Sequence, residues 1–154
     1  MTDDAITPAQ HRRLAITCNN STWEMIDADR NPANDEEMVR RAYAAAYHWQ
    51  RAEGSAPVNE ARAVWLISKV QLLAGQAERA LHYADGCLEL CDQHALADFD
   101  LAYALDARAR ALAALGRTSE ATEVLAAARS VPIADPDDRA AVEADLATEL
   151  VVVA

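Results

Sequence analysis

Glycine and proline are scarce in this 154-residue chain, with four and five copies, and no two glycines cluster. That excludes a Walker-type phosphate loop and a G-x-G-x-x-G dinucleotide turn, whose backbones need closely spaced glycines to approach a phosphate. Neither G-x-S-x-G nor H-E-x-x-H occurs, so a nucleophile elbow and a helical zinc motif are missing too. β-Branched runs are confined to Val151-Val152-Val153, which leaves little to build strands from. No stretch of about 18 apolar residues exists to span a membrane. The opening Met1-Thr2-Asp3-Asp4 is acidic and lacks the apolar core of a secretory signal, so the cytoplasm is the expected compartment. Cys18, Cys87 and Cys91, the three cysteines, are then expected to be reduced.

Lysine occurs once, at Lys69, and the formal net charge is −11 with a pI near 4.6. Arg12-Arg13 and Arg40-Arg41 are the only adjacent basic pairs. Without a basic cluster, such a surface repels a duplex or an anionic bilayer, which argues against nucleic-acid and membrane partners. Basic partners, cations and small ligands remain open.

What is abundant is alanine, with 36 copies, and alanine is the best helix former. The expected class is all-α, one domain, with residues 1–7 as a tail. Punctuation divides the chain into seven helices. Thr7-Pro8-Ala9-Gln10 reads as a cap, a first-position proline and a capping box, opening a helix from about 8 to 28. Asn34 is expected to cap a helix that opens on Asp35, Glu36 and Glu37 and runs to about 53, before Gly54. Pro57 opens a third, ending at Gly75, and its partner spans about 77–92. Asp92-Gln93-His94-Ala95 reads as a looser connection. The remaining helices are expected at about 96–115, 118–130 and 136–150, the last capped by Asp135.

Two segments share one signature: Leu72-Leu73-Ala74-Gly75-Gln76-Ala77-Glu78-Arg79-Ala80 and Ala113-Ala114-Leu115-Gly116-Arg117-Thr118-Ser119-Glu120-Ala121. Each is an apolar helix end, a Gly, four mostly polar residues and a small Ala. Turns this short permit only antiparallel neighbours, and Ala80 and Ala121 let two helices approach closely. The two copies resemble the tetratricopeptide repeat (TPR), in which Gly closes the first helix and Ala follows five residues later. The family's large–small pair maps to Ile67-Ser68 and Arg108-Ala109, its late Ala to Cys87 and Ala128, and its closing Pro to Pro132. The glycines stand 41 residues apart, wider than the usual spacing of about 34. The resemblance implies two widened repeats over residues 57–132 in a TPR-like array of antiparallel hairpins. The whole chain is also similar to a family of small bacterial TPR-like proteins, through Asn20-Ser21-Thr22-Trp23, Tyr47-His48-Trp49, Asn59-Glu60-Ala61-Arg62 with Trp65-Leu66, Ala80-Leu81-His82, and Asp98-Phe99-Asp100-Leu101-Ala102. That likeness implies a fold and supplies no reaction. So few repeats expose their ends, so the first and last helices are expected to act as caps, or the chain to dimerise.

Aligned as repeats, the inner face of the first helices carries Arg62, Trp65 and Lys69, then Tyr103, Asp106 and Arg110. A concave face of Trp, Tyr, Arg and Asp suits a peptide or protein partner, and the expected function is a non-catalytic interaction module. Against this stands ordinary packing of Trp65 and Tyr103 between helices. A second candidate is a small-ligand, metal or catalytic pocket built from His48, His82, Asp98 and Asp100 together with Arg62 and Trp65. There, a His beside a carboxylate would bind a cation or act as a general base. No local motif ties those residues together, and structural hydrogen bonds, with Asp98 capping its helix, are the favoured explanation. Cys87, Cys91 and His94 share a helical spacing that suits Zn²⁺ or Cu(I), yet the two cysteines also fit small-residue core positions. No metal or cofactor is therefore expected. Glu36-Glu37 and Asp137-Asp138 read as dipole-favourable helix starts. A regulatory subunit for a basic partner rests on charge alone.

Overall fold

The computed structural model describes residues 5–151. Among them are seven α-helices and no strand: α1 (Pro8–Asp27), α2 (Pro32–Trp49), α3 (Pro57–Leu73), α4 (Ala77–Gln93), α5 (Asp98–Ala114), α6 (Thr118–Arg129) and α7 (Pro136–Leu146). None is long and apolar enough to cross a membrane. Of the expected tail, residues 1–4 lie outside the described residues. Thr7 is no tail residue. Its hydroxyl accepts from Gln10 N (3.1 Å) while Gln10 Oε1 accepts from Thr7 N (2.7 Å), so two otherwise unpaired amides are satisfied.

Three boundaries depart from expectation, the first being the end of α2, at Trp49 rather than about 53. Asn31, not Asn34, caps α2: its side chain accepts from Asn34 N at 2.9 Å, and Pro32 takes the first position, where its missing N–H is no loss. Glu36 and Glu37 therefore fall beyond the first turn, where they pair with Arg40 and Arg41. At the other end, α7 stops at Leu146 because arginines from neighbouring helices take its last carbonyls. Arg110 donates to Asp145 O (3.0 Å) and Arg129 to Leu146 O (2.8 Å).

The twin signatures close identically. Gly75 and Gly116 adopt φ +77° and +76°, and the residue after each donates back to the helix: Gln76 N to Gln71 O (2.8 Å), Arg117 N to Leu112 O (2.9 Å). The Asp92–Ala95 connection is not looser. It makes the same closure, Leu96 N to Cys91 O (2.9 Å), with Ala95 forced to φ +50° where a side chain costs about 1 kcal/mol.

Helices pack as consecutive antiparallel hairpins. In α1–α2, His11 meets His48 and Arg41 reaches Ser21 O; in α3–α4, Ser68 Oγ–H donates to Ala80 O (2.7 Å) while Cys87 lies on Ala61 O. Short side chains such as Ser68 and Cys87 reach the facing backbone only where the helices approach closely, which small residues at the seam permit, and Ala80, Ala84, Ala102, Ala104, Ala109 and Ala121 are fully buried. The first helices of the second and third hairpins, α3 and α5, run side by side and parallel. Arg62 pairs with Asp100, and Trp65 Nε1–H donates to Tyr103 O (3.2 Å), both across 38 residues. The α1–α2 hairpin covers α3 at one end, and α7 lies on α5 and α6 at the other.

Candidate binding groove

On α3, Arg62, Trp65 and Lys69 follow an i, i+3, i+7 spacing, which places them on one stripe of a helix. Tyr103, Asp106 and Arg110 repeat that spacing on α5. Because α3 and α5 are parallel neighbours, the two stripes border a single open groove of about 1140 Å³, and all six residues line it. Trp23 of α1 closes one side, Asp145 and Thr148 the other.

Aromatic rings form its floor. Trp23 stacks on Trp65 with centroids 6.0 Å apart and planes at 29°; Trp65 in turn lies 5.8 Å from Tyr103. Lys69 Nζ sits 5.8 Å from the Trp23 ring and 5.7 Å from the Trp65 ring. Around the rings the charges are largely paired. Arg62 forms a two-pronged bond to Asp100 (2.8 and 3.0 Å) with its guanidinium 5.2 Å from the Phe99 ring centroid. Arg110 holds Asp106 (2.9 and 3.1 Å) and reaches Asp145 O and Thr148 Oγ1 (2.6 Å). Tyr103 donates to Asp145 Oδ2 at 2.5 Å.

This partial burial perturbs titration. Burial raises Asp106 above the usual carboxylate value despite the opposing pull of Arg110. Burial also raises the Tyr103 phenol, and its bond to Asp145 adds to the effect. Lys69 moves the other way, lowered first by burial and then by the charge of Arg110.

The second candidate set does not assemble. Of its four residues only Asp100 reaches the groove, where it serves Arg62. His48 faces away, on the second helix of its hairpin. His82, on the second helix of the next hairpin, is exposed and lies against Tyr83. Asp98 accepts from Phe99 N (2.8 Å) and from Ala134 N (2.9 Å), tying the start of α5 to the α6–α7 connection. Cys87 and Cys91 are buried with Ala61 and Ala104, whereas His94 is exposed at the end of α4. Burial, then Cys91, push the Cys87 thiol up to about 12. Among the described residues no three His, Cys, Asp or Glu side chains are placed to hold a metal.

His48 has a different role. Its Nδ1 lies 2.8 Å from Nδ1 of His11 across the α1–α2 seam, a bond in which one ring nitrogen must be unprotonated. Burial, the neighbouring His11 and Arg51 hold His48 below the ordinary histidine value of 6.5. The folded chain thus takes up this proton later than the unfolded chain. Stability is present above the unfolded value and is lost as pH falls from it through the folded value. The denaturant midpoint is expected to drop as pH falls below the ordinary histidine value of 6.5, and His48→Gln to flatten that drop. Equal slopes for variant and wild type would refute the assignment.

Trp23, Asp145 and Thr148 are groove residues that sequence reasoning left out. Their signal was the repeat itself: Trp23 and Trp65 stand 42 residues apart, as do Tyr103 and Asp145, close to the 41 between Gly75 and Gly116. Extending that period to the first and last helices would have found them. No family model, curated protein or solved structure matches this chain.

Proposed function

We propose that the chain is a TPR-like interaction module that holds a protein or peptide segment in the groove bordered by α1, α3, α5 and α7. The observation that carries this reading is the convergence of Trp23, Trp65 and Tyr103 with two arginines along one open groove. Trp, Tyr and Arg are the residue types that dominate binding energy at interfaces, because each brings large area with few rotatable bonds or a forked donor. A volume of about 1140 Å³, open along its length, exceeds the roughly 300–1000 Å³ of common small-molecule pockets and suits an extended segment. The 38-residue register of α3 on α5 supports the repeat architecture.

Panning a capped, randomised peptide library against the full chain tests the reading. Trp23 is 37% exposed, so Trp23→Ala removes groove surface with little effect on the core. Enriched peptides are expected to bind Trp23→Ala about tenfold more weakly than wild type, with unchanged thermal midpoints. Equal binding to both proteins, or no enrichment at all, would overturn the proposal.

A further inference from the structure

Every arginine and acid at the centre of the groove is engaged, and its amine is not. Arg62 is held by Asp100, Arg110 by Asp106 and the α7 end, and Asp145 by Tyr103. Among the described residues Lys69 has neither a hydrogen-bond nor an ion-pair partner. The two indole rings, 5.7 and 5.8 Å away, lie at the outer edge of the cation–π range and hold an ammonium weakly. Burial disfavours the charged form of a half-buried ammonium that no carboxylate contacts directly.

We propose that Lys69 is a nucleophilic amine that captures apolar aldehydes as a reversible imine in this groove. The Trp23 and Trp65 rings provide a flat apolar seat beside Nζ. A lysine desolvated next to another cation is the usual form of an activated amine nucleophile. Here burial acts first and Arg110 second, against the weaker opposing charges of Asp106, Asp145 and Asp27. The neutral amine adds through nitrogen to the carbonyl carbon, and one N–H proton passes to the carbonyl oxygen. The carbinolamine then expels that oxygen as water with the second N–H proton, leaving C=N. No oxidant or reductant enters. The inference goes beyond segment binding and stands without it.

Lys69 is the only lysine, so the test is clean. The full chain is incubated with 2-naphthaldehyde near neutral pH, the imine is trapped with cyanoborohydride, and adducts are located by peptide mapping, with the terminal amine as internal reference. Lys69 is expected to be labelled about tenfold faster than Nα-acetyllysine. Its pH–rate midpoint should be lower than that of Nα-acetyllysine, and Lys69→Arg should remove the adduct. In guanidinium the rate should fall to that of Nα-acetyllysine. Labelling at the free-lysine rate, or equally fast in the unfolded chain, would overturn the proposal. So would an equal acceleration over Nα-acetyllysine with the hydrophilic aldehyde glyoxylate, because the aromatic seat would then contribute nothing.

Discussion

Arg110→Met is expected to destabilise the chain by about 3 kcal/mol, read from denaturant unfolding. The guanidinium fastens α5 to the end of α7 through Asp145 O and Thr148 Oγ1. It is also the counter-charge of Asp106, which is only 7% exposed. Removing one member of a buried pair leaves the other's charge in a poorly solvated site, and that penalty exceeds the net worth of the pair itself. Two consequences separate this cause from lost packing. First, Asp106→Leu added to Arg110→Met should recover most of the loss, since an apolar pair has no stranded charge. Second, the deficit should shrink on acidification. Burial already raises Asp106 above its unfolded value, so the folded state holds this proton more tightly. A group of that kind contributes more stability at low pH and loses it as pH rises through its titration. A double variant as unstable as the single one, with a pH-independent deficit, would assign the effect to packing.

Leu112→Ala is expected to cost about 4 kcal/mol, and Leu66→Ala about 2.5 kcal/mol, although the chemistry of the two changes is identical. Both side chains are fully buried. Their surroundings differ. Leu112 packs with Ala113 and Ala121, with Leu81, Val124 and Leu150 at the margin. Alanines carry no side-chain torsion with which to move into a void, so the cavity persists and its lining loses contacts. Leu66 lies with Met38, Val70 and Met25, and unbranched methionines can relax inward. A core built on alanine seams thus concentrates its packing energy in a few large side chains, among which are Met38, Leu66, Leu112 and Leu146. Equal losses at the two sites would show that neighbour flexibility does not govern the cost. The exposed Leu14 should tolerate alanine with a small change.

Much of this molecule is encoded locally. The seven helices follow from alanine content, from Pro8, Pro57 and Pro136 at first positions, and from Thr7 and Asp135 as caps. The matching closures at Gly75 and Gly116 follow from glycine's access to positive φ. Each of these signals lies within four or five residues, the range over which backbone hydrogen bonds and side-chain caps act. Where a boundary was misread, the competing signal was also local at α2, with Asn31 and Pro32 preceding Asn34. At the end of α7 it was distant, since Arg110 and Arg129 come from other helices.

The stripe on α3 and the stripe on α5 were legible separately, because helical spacing determines which residues share a face. That the two border one groove depends on the parallel register of α3 on α5, which arises from close packing at buried alanines and from Arg62–Asp100. Composition and spacing alone left His48, His82 and Asp98 free to meet. The fold separates them because hairpin packing keeps His48 of α2 and His82 of α4 out of the groove lining and draws Asp98 to Ala134. The sequence by itself therefore determined the helices, their turns and the residues on each face, since those depend on short-range torsions and caps. Only the tertiary structure decided which faces meet, and with them the tie of Arg110 to the end of α7, the lack, among the described residues, of a hydrogen-bond or ion-pair partner for Lys69, and the contribution of Trp23, because these depend on contacts between residues far apart in the chain.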